Sequence, residues 1–97
     1  MSKLLARVAL VLSLASPALA SPVILAWDPP LVSGQDGYAV DRKIGTAPYV
    51  EIATTALVLT YTDASVPDGQ VVCYVVRSTL GTFRSLPSNE VCTAHLL

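Results

Sequence analysis

Cys73 and Cys92 are the residues of this chain whose types most directly suggest shared chemistry. Two thiols can close a disulfide or contribute to a zinc site. A structural zinc takes four nitrogen, sulfur or carboxylate ligands, and two cysteines with one histidine, His95, do not supply that set. An even cysteine count in an exported chain favours the disulfide. Closing such a loop contributes ~3 kcal/mol in the chain-entropy account. The other reactive side chains point away from catalysis. His95 falls in a predicted terminal tail, and the serines and carboxylates are scattered over turns. They offer no nucleophile, base and orienting group on one rigid element. Asp28, Asp36, Asp63 and Asp68 lack the spacing of a calcium loop, and turn chemistry accounts for aspartate in such segments. The sequence therefore predicts no catalytic residue, no metal and no cofactor.

Compartment is legible at the N-terminus. Lys3 and Arg7 form a positive start, residues 8–15 (VALVLSLA) are apolar, and Pro17 precedes Ala18-Leu19-Ala20. That order fits a cleavable signal peptide over residues 1–20, cut after Ala20. The apolar run falls short of the ~20 residues a spanning helix needs, so no membrane insertion is expected after cleavage. Secretion or a periplasmic location follows, with residues 21–97 as one small domain. There Arg42, Lys43, Arg77 and Arg84 face seven carboxylates. A weakly acidic domain has no electrostatic footprint for nucleic acid. A chain of this size buries only ~60% of its surface on folding, so a covalent staple matters.

The elements that must position these residues are short strands. Apolar or alternating runs at 23–27 (VILAW), 38–42 (YAVDR), 49–53 (YVEIA), 57–62 (LVLTYT), 71–77 (VVCYVVR) and 89–94 (NEVCTA) are separated by turn signals such as Asp28-Pro29-Pro30 and Pro67-Asp68-Gly69. Six short strands without a helical period read as an all-β sandwich. Alternation along 71–77 puts Val72, Tyr74 and Val76 on the core face, with Cys73, Val75 and Arg77 on the other. Cys92 on the neighbouring strand must then also face outward, which makes the disulfide a clip on the outer surface. Trp27 is an aromatic of a kind that can stack on a sugar, and its place in a strand argues for the core instead. Tyr38, Tyr61 and Tyr74 are assigned to the core as well.

These residues resemble a fibronectin type III domain, an immunoglobulin-like β-sandwich, over nearly all of residues 23–93. Leu25-Ala26-Trp27-Asp28-Pro29-Pro30 is similar to the family's strand B, Gly37-Tyr38-Ala39-Val40 to the start of strand C, and residues 49–53 to strand C′. Tyr61-Thr62-Asp63 resembles the end of strand E, Asp68-Gly69 opens strand F, and Ser85-Leu86-Pro87-Ser88-Asn89-Glu90-Val91 leads into strand G. A cysteine pair in strands F and G matches a bacterial subtype. The resemblance implies a non-catalytic module that binds protein or polysaccharide. It also implies that segments 78–89 and 28–37 share one pole, which nominates Phe83 and Arg84 with Leu31, Val32 and Gln35 as binding candidates.

Two departures follow from the same comparison. Val72 stands where the family carries the tyrosine of its corner hydrogen bond. Cleavage after Ala20 leaves no strand A. Strand B would then be an open edge, with Ile24 and Ala26 beside Val58 as an apolar docking strip. The alternative function is accordingly a structural or assembly subunit that completes its sheet with a strand from a neighbouring chain.

Overall fold

The computed structural model describes residues 9–14, 22–28, 34–67 and 69–95. Among them are eight strands: β1 (Ala9–Leu14), β2 (Val23–Asp28), β3 (Gly37–Ile44), β4 (Val50–Thr55), β5 (Thr60–Asp63), β6 (Gln70–Leu80), β7 (Phe83–Arg84) and β8 (Val91–His95). One sheet has the order β1-β2-β5. The other has the order β4-β3-β6-β7, and β8 also pairs with β6. All pairings are antiparallel.

Alternation builds the core as expected. Val23, Leu25 and Trp27 of β2 face Tyr38 and Val40 of β3 and Val72, Tyr74 and Val76 of β6, and all eight are buried. The rings of Trp27 and Tyr38 meet edge to face at 5.2 Å, a preferred aromatic geometry. Gly37 is required where β3 meets β4, because a Cβ there would stand 2.0 Å from the Thr55 carbonyl oxygen.

The absence of strand A was expected of a chain cut after Ala20, and for the full chain it is corrected. Ala9–Leu14, the apolar run that reads as a signal core, pairs with β2 over its whole length, and the register sets Leu10, Leu12 and Leu14 opposite Trp27, Leu25 and Val23. Leucines at every second residue satisfy a period of two as well as they satisfy an apolar leader. With β1 on one side and β5 on the other, β2 is a central strand. Ile24 and Ala26 are half-buried and lie opposite Thr62 and Thr60, while Val58 is exposed in the bend before β5. In the full chain the expected edge strip is therefore not assembled. The strand anticipated at 57–62 starts late because β2 ends at Asp28, and the last bridge to it runs from the Trp27 N–H to the Leu59 carbonyl.

The disulfide forms between directly opposed residues of β6 and β8, with the Cα atoms 4.0 Å apart. Its face is the expected one, outside the core cluster. Its exposure is not: Cys92 is exposed, but Cys73 is only 5% exposed. The outer face of β3 and β6 is roofed by its own long side chains. A Glu90 carboxylate oxygen lies within 4.8 Å of both sulfurs. Glu90 also accepts a short hydrogen bond from Tyr49 and pairs with Lys43 at 3.6 Å, and Lys43 sits 5.4 Å from the Tyr49 ring centroid. Arg77 donates to Asp41 at 2.9 Å across the same face.

A buried carboxylate ties the sheets together. Asp63, at the end of β5, accepts from the Tyr74 hydroxyl at 2.7 Å, from Arg42 at 2.9 Å, and from the backbone N–H and hydroxyl of Ser65. Tyr74 thus supplies a buried tyrosine bond between β6 and the end of β5, two residues beyond Val72. Burial alone would raise the Asp63 pKa. The bonds from Tyr74, Arg42 and Ser65 outweigh it and hold the group below its ordinary 3.8. Burial and the adjacent carboxylate push the Tyr74 phenol far up, so it remains a donor at any working pH.

A carboxylate with a lowered folded pKa stabilises the fold above about pH 4, and that contribution disappears as pH falls through the folded value. Thermal melts from pH 7 to pH 2 should show an acid limb. Asp63→Asn should lower the melting temperature at pH 7 and flatten that limb in part, since Asp36 and Glu90 are also held low. An unchanged limb would refute the role given to Asp63. Replacing both cysteines by alanine should cost ~3 kcal/mol, read as a fall of ~4–8 °C per kcal/mol.

Candidate functional site

The segment predicted as a polar loop, residues 78–89, is mostly ordered against β6. β6 runs on to Leu80, turns at Gly81 (φ 57°) and returns as β7, with Leu80 opposite Phe83 and Thr79 opposite Arg84. Pro87 cannot donate to a ladder, and two serines flank it. The Ser85 and Ser88 hydroxyls accept from the Ser78 and Val76 N–H groups at 2.8 and 2.9 Å. Their own N–H groups return bonds to the carbonyls of the same two residues. The serine spacing around Pro87 was the available signal for this rigid strap.

The hairpin tip is pinned from two sides. Asp36, from the segment before β3, accepts from the Gly81 N–H at 2.8 Å and from the Thr79 hydroxyl at 2.7 Å. Those two bonds lower its pKa, the Gly81 bond most. The Asp36 N–H also donates to the Thr79 carbonyl. On the other side Arg84 donates to both carboxylate oxygens of Glu51 on β4, at 3.0 and 3.4 Å.

Between these anchors Phe83 is 71% exposed and its partner Leu80 is 40% exposed. Of the expected candidates, Gln35 lies next to the pinning Asp36 and is half-buried, with its amide on the Gly37 carbonyl. Arg84 is close by but committed to Glu51, so it braces the hairpin and offers little free charge. Leu31 and Val32 lie outside the described residues, as does Asp68. Asp36 and Glu51 were missed because their roles depend on partners tens of residues away.

A second surface was not foreseen. Arg42, Ile44, Ala47, Pro48, Val50 and Ile52 line a shallow hollow of about 200 Å³ at the far end of the β3–β4 hairpin. Its lining is aliphatic apart from Arg42, whose guanidinium is held by Asp63. The sulfurs near Glu90 are joined in the disulfide and are not available as metal ligands. Among the described residues no helix is long and apolar enough to cross a membrane.

No protein-family model matches the sequence, and no curated protein matches it. Solved structures do. A fibronectin type III-like protein from Clostridium thermocellum is 29% identical, with a TM-score of 0.66 and 84% of each chain covered. A fibronectin type III domain of the human KIAA0970 protein is 18% identical, with a TM-score of 0.73 over 98% of this chain and 77% of that one. This chain has the fibronectin type III fold. Pectate lyase PelI from Erwinia chrysanthemi, in complex with tetragalacturonic acid, matches with 25% identity and a TM-score of 0.74. That match covers 91% of this chain and 28% of the lyase, so the chain spans about a quarter of that protein's length. Likeness to fibronectin type III domains marks the chain as a binding or structural module, and the disulfide is consistent with an extracellular location.

In the fibronectin type III frame β1 to β6 take positions A, B, C, C′, E and F, and β7 and β8 share position G. Phe83 is largely exposed and lies outside the core cluster. Phe83→Ala should therefore change stability by no more than about 0.5 kcal/mol, whereas Asp36→Ala should loosen the hairpin and raise amide exchange at Gly81. Equal exchange in both variants would show that Asp36 does not pin the tip.

Proposed function

We propose that the chain is an exported, non-catalytic binding module that presents Phe83 to a protein or polysaccharide ligand. The observation that carries this reading is an aromatic side chain 71% exposed at a hairpin tip fixed from both sides by Asp36 and Arg84–Glu51. A hairpin whose backbone is already fixed has less conformational entropy to lose on binding, which is where preorganisation adds affinity. Leu80, exposed directly opposite Phe83, widens the apolar contact. The leader-like residues 1–20 and the disulfide both support export. Likeness to part of a pectate lyase crystallised with tetragalacturonic acid favours the polysaccharide ligand. The reading assigns no residue to catalysis, since among the described residues the pole's charged groups are already engaged: Asp36 by backbone and hydroxyl donors, and Glu51 by Arg84.

Binding to a panel of acidic and neutral polysaccharides, with a pull-down from the secreted fraction in parallel, tests this. Phe83→Ala should weaken binding at least tenfold with an unchanged melting temperature. Retained binding in that variant would overturn the site.

A further inference from the structure

One feature of the chain serves two incompatible purposes. Residues 8–15 have the composition of a leader core, with Ala18-Leu19-Ala20 following at the position a signal peptidase reads. Ala9–Leu14 are also strand β1, in six consecutive pairs with β2. The register places the leucines, and not the intervening residues, opposite Trp27, Leu25 and Val23, which are 3%, 0% and 0% exposed. A cut after Ala20 would break the covalent link between β1 and β2 without removing any of the six paired residues from either strand.

We propose that the free side of β2 is a strand-accepting site whose ligand is an extended apolar segment with aliphatic residues at alternate positions. In the uncut chain Ala9–Leu14 occupies it, and a cut between residues 14 and 22 makes that occupant exchangeable. Three considerations support the assignment. Without a partner, β2 would leave a row of N–H and C=O groups unpaired along a strand whose alternate residues form the core. Strand addition draws affinity from those main-chain bonds and specificity from alternate side-chain positions, and the leucine register meets the second requirement. β1 also sits at the outer edge of its sheet, with only β2 hydrogen-bonded to it, so it can leave without disturbing any other pairing. The inference stands independently of the Phe83 pole, which lies on other strands.

The test uses the full chain with a site-specific protease sequence replacing residues 15–20, nicked after folding and oxidation. The fragment carrying Ala9–Leu14 should co-elute with the domain. An excess of fluorescently labelled peptide of residues 3–16 should then replace it, at one peptide per domain. The same peptide carrying Leu12→Pro should replace it at least tenfold less, because proline cannot pair at the middle of the strand. Hydrogen exchange of the β2 amides should be slow with the wild-type peptide bound. The proposal is overturned if the fragment leaves while the domain stays folded and takes up no peptide. It is equally overturned if the fragment never exchanges, if the Leu12→Pro peptide exchanges as well as the wild type, or if nicked chains pair with each other and exclude the peptide.

Discussion

A single carboxylate that has to be both buried and charged governs how the two sheets meet. Asp63 is 2% exposed, and an ion in that position costs several kcal/mol unless its lone pairs are filled. They are filled from the facing sheet and from the following turn. Tyr74 comes from β6, Arg42 from β3, and Ser65 from the chain that leaves β5. Arg42 donates to the Ser65 hydroxyl as well, so the donors are themselves linked. The cluster joins the end of β5 to the facing sheet and holds Arg42 at the rim of the aliphatic hollow. It also stands in for the corner hydrogen bond that Val72 cannot make.

The opposite face of the five-stranded sheet is organised by a second device. The disulfide crosses β6 and β8 where Glu90, Lys43 and Tyr49 converge, and it is shielded by them. Long amphipathic side chains lie along the sheet with their charges paired at its edge, so Cys73 and Val75 are covered without belonging to the core cluster. At the far pole the constraint is backbone satisfaction. Pro87 interrupts the ladder, two serine hydroxyls repair it, and Asp36 caps the hairpin that results. A rigid scaffold with one exposed aromatic at its tip is the outcome of those local repairs.

Legibility followed range. Trp27, Tyr38, Val72, Tyr74 and Val76 were assignable to the core because period-two alternation is a property of neighbouring residues. The Cys73–Cys92 bridge was assignable because so few other thiol chemistries were available. Arg84 was expected as a binding candidate and is engaged as a brace, since its partner Glu51 is on β4 and nothing local signals the pairing. Cys73 was expected at the surface, because alternation assigns a face and says nothing of what lies over it. The strand at Ala9–Leu14 went unrecognised for a different reason: one apolar pattern satisfies two physical roles, and only a partner strand in register distinguishes them.

What the amino-acid order determined alone was the alternation, the turns at glycine and proline, and the sulfur pair, which together impose a disulfide-clipped β-sandwich. Tertiary structure decided the rest. It brought Asp63 under Tyr74 and Arg42, Asp36 against Gly81, Glu51 against Arg84 and β1 against β2. Each of these is a contact between residues distant in sequence, whose energy exists only once the chain has closed the loops between them.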